Sequence, residues 1–143
     1  GGKTKFILTY EHCLQIIKEL KKELVAKKEA GDLFGSERDG SFEGIIRGLY
    51  QTFGGKELYP WVEDKASHLL YFIIKDHPFS DGNKRSGAFL FVYFLDKTGY
   101  LFKKSGERKI NDNALVALAL LVAESEPKEK ETMIKIAKNL LTE

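Results

Sequence analysis

The sequence predicts an all-α protein, a compact helical bundle with one small β-hairpin. Apolar residues recur every three or four positions through most of the 143-residue chain, which is the spacing of a helix with one buried face. Glycine and proline separate these stretches and mark their ends. Hydrophobic residues make up 43% of the chain, enough for one core, so we predict a single domain over residues 1–143.

The first predicted helix covers about residues 9–30. Thr9 is its candidate N-cap, and Gly31 follows its expected end. The residues predicted to face the core are Leu14, Ile17, Leu20 and Leu24. The next stretch, residues 31–40, is rich in glycine and charge, and we predict a loop there.

A short second helix is predicted after this loop, with Ser41 as candidate cap. Its apolar residues at helical spacing are Phe42, Ile45, Ile46 and Leu49. Two glycines, a short alternating stretch and Pro60 then predict an exposed hairpin, which we call the flap. The flap consists of Gly54, Gly55, Lys56, Glu57, Leu58 and Tyr59.

Four further helices complete the predicted bundle. One runs from about Val62 to Asp76, and the next follows a polar loop and ends near Gly99. A third begins at Asn111 or Asp112 and continues through Glu124. The last covers about residues 127–142, starting with proline in its first turn, and its predicted buried residues are Met133, Ile136, Ala137, Leu140 and Leu141.

The polar loop between the two central helices holds the residues best suited to catalysis or ligand binding. It reads His77-Pro78-Phe79-Ser80-Asp81-Gly82-Asn83-Lys84-Arg85-Ser86-Gly87, and an apolar helical segment follows directly. The first N–H groups of a helix lack partners and lie at the positive end of its dipole. The arrangement therefore predicts a phosphate site at the start of that helix.

His77 and Asp81 are the candidate base and metal ligand. His77 can take a proton from a hydroxyl near neutral pH, and the Asp81 carboxylate can hold Mg²⁺ beside phosphate oxygens. Each also has a structural interpretation, since His77 can cap the preceding helix and Asp81 the following one. Phe79 is predicted to anchor the loop in the core.

The four residues after Asp81 are the candidate phosphate ligands. Gly82 lets the backbone approach a ligand closely, and Asn83 can donate an amide N–H. Lys84 supplies a mobile charge and Arg85 a planar fork. Each residue also has a structural interpretation: Gly82 can form a turn, Asn83 can cap the helix, and the two cations can be ordinary surface residues. Their combination with a base and a metal ligand in one loop favours the functional interpretation.

The pattern His-Pro-Phe-x-Asp-Gly-Asn-Lys-Arg of residues 77–85 resembles the signature of the Fic/Doc (Fido) family. The stretch from Gly48 to Gly55, followed by Leu58-Tyr59-Pro60, resembles the segment that leads into the flap of that family. The resemblance covers a core of about residues 41–124. It implies a helical bundle of the Fic/Doc type with a hairpin flap.

The resemblance also implies an activity, the transfer of AMP from ATP to a Ser, Thr or Tyr hydroxyl of a target protein. His77 would be the general base and Asp81 would hold Mg²⁺, while residues 82–85 would bind the phosphates of ATP. The flap would bind the target backbone as an added strand. Such a reaction is an in-line displacement assisted by positioning and charge neutralisation.

The chain departs from the usual AMP-transferring signature at two positions. Lys84 stands where that signature has glycine, and Ala88 stands where it has a second arginine. Both changes are similar to the Doc branch, although Doc-type loops usually have alanine at the position of Gly82. One alternative is therefore a Doc-like kinase that transfers the γ-phosphate to a protein hydroxyl as the toxin of a toxin–antitoxin pair. Another is a non-catalytic module that binds nucleotide or protein.

The inhibitory helix of many family members has the pattern Ser/Thr-x-x-x-Glu-Gly/Asn. Here Glu43-Gly44 is the only Glu-Gly pair, and Asp39 stands where the hydroxyl residue would be. We therefore expect either a separate protein, an antitoxin or other inhibitor, or a part of the chain outside this sequence to restrain the activity.

Composition argues against two other classes of partner and indicates a compartment. The net charge is +2, and glutamates are interleaved with the lysines of the first helix, which argues against a nucleic-acid partner. No apolar run reaches the length of a membrane span. The lone cysteine, Cys13, favours a reducing compartment, either the cytoplasm of the producing cell or that of a host.

Overall fold

The computed structural model describes residues 1–143 and contains six α-helices and one two-stranded antiparallel sheet. The elements in chain order are α1 (Tyr10–Ala26), α2 (Ser41–Gly48), β1 (Thr52–Phe53), β2 (Lys56–Glu57), α3 (Val62–Asp76), α4 (Asn83–Thr98), α5 (Asp112–Glu124) and α6 (Lys130–Leu140). A 3₁₀ turn, Pro127–Glu129, precedes α6. The predicted class, an all-α bundle with a small hairpin, is confirmed.

Helices α3 and α4 form the centre of the bundle, and the other helices pack around them. Gly87 of α4 allows the close approach, because a Cβ at this position would lie 3.3 Å from the side chain of Ile73 on α3. Large side chains with almost no exposure fill the surrounding core. They include Phe42, Leu69, Leu70, Ile73, Phe79, Phe91 and Phe94. The polar loop that joins α3 to α4 is therefore fixed at both ends by the best-packed part of the protein.

The predicted caps of three helices are present. Thr9 accepts a hydrogen bond from the N–H of His12 at 3.2 Å, and Asn111, rather than Asp112, caps α5 by accepting from Ala114 at 2.8 Å. Gly99 ends α4 with a φ of 82°, a conformation that glycine adopts without steric cost.

The N-terminal helix is shorter than predicted. It ends at Ala26 rather than near residue 30, because Lys28 turns the backbone into the left-handed region with a φ of 61°. The N–H of Glu29 then bonds to the carbonyl of Leu24 at 2.8 Å, which closes a Schellman motif. A lysine at the position where glycine is usual gave no sequence signal for this end.

Two smaller predictions were wrong. Ser41 is the first residue of α2 and not its cap, and its N–H donates instead to the carboxylate of Asp39 at 2.9 Å. On α6, Ile134 is buried while Ile136 is only partly buried and Leu140 is 37% exposed. The helix begins at Lys130 after the 3₁₀ turn, and its buried face consists of Met133, Ile134 and Ala137, with Leu141 just after its end.

Phe79 is 1% exposed and its ring lies 4.8 Å from that of Phe42, so the predicted core anchor is confirmed. We expect Phe79→Ala to lower the free energy of unfolding by about 3–5 kcal/mol, through lost burial and the cavity left behind. Chemical denaturation measures the change. Phe53→Ala is the control, since Phe53 is 87% exposed and its loss should cost less than about 0.5 kcal/mol. Equal effects of the two substitutions would contradict the anchoring role.

Candidate active site

The loop begins with a strained histidine. His77 ends α3 with φ 49° and ψ 60°, a left-handed conformation that is uncommon for a residue with a side chain. Its carbonyl accepts a hydrogen bond from Nη1 of Arg38 at 3.1 Å. The imidazole is exposed and forms no hydrogen bond within the chain. The ring nitrogens of His77 are therefore free to meet a substrate.

The start of α4, at the other end of the loop from this histidine, presents unpaired backbone donors. Gly82 is the N-cap residue and provides no side-chain cap, and the first N–H bonded inside the helix is that of Ser86, to the carbonyl of Gly82 at 2.8 Å. The N–H groups of Asn83, Lys84 and Arg85 consequently have no partner in the protein. Together with the helix dipole, these three donors form a site suited to an anion.

The side chain of Asn83 holds the loop in shape. Its Oδ1 accepts from the N–H of Phe79 and its Nδ2 donates to the carbonyl of the same residue, both at 2.9 Å. The amide thus replaces the backbone partners that Phe79 lacks in the loop. Because its side-chain amide bonds to Phe79, Asn83 can offer a phosphate its backbone N–H.

The side chain of one cation of the loop is held by contacts, and that of the other is not. The guanidinium of Arg85 lies 4.8 Å from the ring centre of Phe34, donates to the carbonyl of Glu29 at 2.6 Å and lies 3.8 Å from the carboxylate of Asp81. Lys84 is exposed and forms no ion pair. Arg85 is therefore a fixed charge and Lys84 a mobile one.

A segment that was predicted only as a loop lies along the polar loop. Residues 34–38, which we call the strap, pair with residues 77–81 through bridges between Phe34 and Asp81 and between Glu37 and Phe79. The backbone bonds are Gly35 N–H to Asp81, Ser80 N–H to Ser36 and Arg38 N–H to Pro78, at 3.0, 2.8 and 2.9 Å. The only sequence signal was Phe34, one aromatic residue within a polar stretch.

The strap fits tightly against Gly82. Phe34 has no exposed surface, and a Cβ on Gly82 would lie 2.3 Å from two atoms of its ring. Gly82 also has a φ of 81°, so both the backbone conformation and the space require glycine. Phe34 therefore touches Gly82, stacks on Arg85 and pairs with Asp81.

The predicted flap is present and exposed. Thr52 pairs with Glu57 and Phe53 with Lys56, and the left-handed Gly54 and Gly55 form the two-residue turn between them. A cavity of 250 Å³ lies between α2 and α3. It is lined by Gln51, just before the flap, and by Asp76, just before His77. The base of the flap and the start of the loop therefore border one cavity.

Burial raises the pKa of the Asp76 carboxyl. A second cavity, of 780 Å³ between α1 and α4, has none of the predicted site residues in its lining.

Asp81 is the one predicted metal ligand, and no group of three or more histidine, cysteine or acidic side chains surrounds it. Such a group would be needed for a metal held by the protein alone. Mg²⁺ in nucleotide enzymes is commonly bound through one or two carboxylates, with phosphates and water as the other ligands. The lone, half-exposed carboxylate of Asp81 fits Mg²⁺ that arrives with a nucleotide.

A protein-family model described as the Fic/DOC family matches residues 8–95. The match includes α1, the strap, the flap, α3, the loop and nearly all of α4. Neither the curated proteins nor the solved structures include a match to this chain. None of the helices combines the length and the apolar character that crossing a membrane would require.

The contact between Phe34 and Gly82 generates a prediction with a matched control. Gly82 and Gly99 have nearly the same backbone angles, but only Gly82 faces a neighbour, since nothing lies within 4 Å of a Cβ on Gly99. Gly99→Ala should cost about 1–2 kcal/mol through backbone strain. Gly82→Ala should cost about 1–3 kcal/mol more, because the strap must move. Urea denaturation measures both, and equal losses would show that the strap does not press on Gly82.

Proposed function

The chain belongs to the Fic/DOC family, and we propose on this basis that it transfers AMP from ATP to a Ser, Thr or Tyr hydroxyl of a target protein. One observation carries the proposal. The unbonded imidazole of His77 and the three unpaired N–H groups at the start of α4 lie on the two ends of one short, fixed loop. A base next to an anion site is the combination that phosphorus transfer to an alcohol requires.

His77 is the general base in this proposal. Its imidazole accepts the proton of the target hydroxyl as the hydroxyl oxygen bonds to the α-phosphorus of ATP. The bond from that phosphorus to the bridging oxygen breaks, and pyrophosphate leaves. The N–H groups of residues 83–85 donate to phosphate oxygens and stabilise the charge that develops on them. The free, exposed ring of His77 supports this role.

Asp81 and Arg85 bind the charged end of the nucleotide. Asp81 would hold Mg²⁺, which when bound neutralises phosphate charge. Arg85 offers the outer phosphates the guanidinium N–H groups that its bond to Glu29 leaves unused, and its stacking on Phe34 fixes the plane of the guanidinium before ATP arrives. Gly82 leaves the space that this close approach needs.

The flap, residues 54–59, binds the target protein. Its strand residues are exposed and its turn consists of two glycines. An extended segment of the target adds to the sheet edge through backbone hydrogen bonds, which brings its hydroxyl residue to His77. The shared cavity beside Gln51 and Asp76 supports this path from flap to loop.

Lys84 favours a second candidate, phosphoryl transfer. Its mobile ammonium stands at the helix start where the AMP-transferring signature has glycine. A cation there attracts the terminal phosphate and favours a reversed nucleotide, so that the hydroxyl attacks the γ-phosphorus and ADP leaves. The protein would then be a kinase of the Doc type.

We also propose that a separate inhibitor protein restrains the activity. The family's inhibitory pattern is not matched within residues 1–143, where Glu43 is half-exposed on α2 and forms an ion pair with Arg47 at 2.7 Å. Ala88 leaves no arginine for such a glutamate to bind.

Two labelled forms of ATP test the reaction. The protein is incubated with Mg²⁺, cell lysate and ATP labelled at either the α- or the γ-phosphate. Label on protein from the α-position supports AMP transfer, and label from the γ-position alone means a kinase. If calorimetry shows ATP binding while neither label reaches protein, the chain is a binding module and the transferase proposal is wrong.

His77→Ala should lower transfer by about 10²–10⁴-fold, because the base is lost while binding contacts remain. The variant should keep its melting temperature and its affinity for ATP. His12→Ala is the control, since His12 lies on α1 and bonds to Tyr93 at 3.1 Å, away from the loop. Transfer at the wild-type rate by the His77 variant would reject the role of base.

Asp81→Ala should lower transfer at least about 100-fold and remove its response to Mg²⁺ concentration. Asp96→Ala changes an exposed carboxylate on α4 outside the loop and should leave the response intact. Rates measured across a magnesium titration distinguish the variants. A Mg²⁺ response in the Asp81 variant equal to that of the wild type would place the metal on other ligands.

A further inference from the structure

The flap is too small to hold its own orientation. Each strand has two residues, and residues 51–58 are all exposed. An isolated two-stranded hairpin of this size is not stable in water, so its position must be fixed by the body of the protein. The contact that fixes it lies on one side, where the second strand returns to α3.

Lys65 makes that contact. It lies on α3, one turn after the start, and only 6% of it is exposed. Its ammonium donates to Oε1 of Glu57 at 2.8 Å and to the carbonyl of Tyr59. The ring of Tyr50 lies 5.3 Å from the same nitrogen. A buried ammonium requires such partners, because burial without them is costly.

Both hydrogen-bond acceptors of Lys65 belong to the flap. Glu57 is on β2 and Tyr59 is the last flap residue, whereas α3 itself supplies no acceptor. The helix therefore cannot satisfy its buried charge unless the flap is in place. Glu57 is still 46% exposed, so its carboxylate keeps part of its hydration. The pair thus couples the burial of one charge to the orientation of β2.

Two neighbouring contacts extend this attachment. The ring of Tyr59 stacks on that of His68 at 3.8 Å and 24°. Burial lowers the pKa of the His68 imidazole, which keeps the ring neutral near pH 7. The N–H of Leu58 bonds to the carbonyl of Gln51 at 3.0 Å and closes the hairpin base. The turn at Gly54 and Gly55 has no comparable contact and stays free.

We propose that Lys65 is a positioning residue that sets the orientation of the flap for target binding. The inference rests on the proposed role of the flap and adds a residue outside both the flap and the polar loop. Without the ammonium, β2 is no longer held against α3, so only a fraction of the molecules present the flap in the orientation that accepts the target strand, and the apparent affinity for the target falls. ATP binds at the start of α4 and does not depend on Lys65.

Hydrogen exchange tests the attachment without reference to activity. Lys65→Met keeps an unbranched apolar chain of similar length and removes the donor. We expect the Leu58 amide to exchange about tenfold faster, with core amides of α3 and α4 unchanged. Lys103→Met is the control, because it breaks an ion pair with Glu107 that lies in the connection between α4 and α5 and includes no flap residue. Unchanged exchange at Leu58 would overturn the proposal.

A second variant covers the case in which Lys65→Met perturbs the core. Glu57→Ala removes the carboxylate from the half-exposed side of the pair and leaves the core side chains in place. It should also speed exchange at Leu58 while α4 amides stay protected. Faster exchange throughout the protein in both variants would make Lys65 a general stability residue and would overturn the positioning role.

Kinetics then separate positioning from catalysis. With ATP labelled at the transferred phosphate, Lys65→Met should raise the KM for the target about tenfold and leave kcat and ATP affinity near wild type. A fall in kcat with no change in KM would contradict the proposal. If the wild type transfers no label, the transferase proposal fails, and the exchange data still decide whether Lys65 holds the flap.

Discussion

The pairing of the strap with the polar loop is the interaction on which the candidate site depends. A loop of this length between two buried helices leaves backbone groups without partners, and burying them unpaired would be costly. The strap satisfies the carbonyls of Pro78 and Asp81 and the N–H of Ser80, and Asn83 satisfies Phe79. The loop is therefore rigid, and the donors that remain unpaired are those at the start of α4.

The loop therefore contains two kinds of group: side chains that fix its shape, and polar groups that are left without partners. The side chains of Phe79 and Asn83 fix the loop, and Phe34 fixes Gly82 and Arg85 from outside it. His77 and three backbone N–H groups are left without partners. Groups that are fixed in direction but unbonded lose little free energy on reorganisation when a charged ligand arrives, which is the arrangement that favours electrostatic catalysis.

The flap follows the opposite principle. One end is held by the buried charge of Lys65, and the other end, the glycine turn, has no contact with the body. In the proposed function, a target-binding strand attached in this way can adapt to different targets while its base keeps a constant direction. The candidate site thus combines a rigid loop with a flap that is fixed only at its return strand.

Much of the fold was predictable from the sequence, because the signals were local. Helical spacing located α3 and α4. Thr9 and Asn111 marked the starts of α1 and α5 through their side chains, and Gly99 marked the end of α4. The end of α1 was not predictable, since Lys28 takes a conformation that its side chain disfavours.

The site was predictable in composition but not in assembly. The residues of the loop could be named from their chemistry and from the family resemblance. The strap could not, because its backbone pairing joins residues about 40 positions apart and leaves no periodic pattern. The commitment of the Asn83 side chain to Phe79 and the burial of Lys65 likewise arise only when distant segments meet.

The most direct test of the central claim is an NMR titration of the protein with ATP in the presence of Mg²⁺, following every backbone amide. If the phosphates bind at the start of α4, the largest shifts occur at the amides of Asn83, Lys84 and Arg85, whose hydrogens gain acceptors. Saturable binding that shifts other amides and leaves these three unchanged, or no binding at all, would contradict the account.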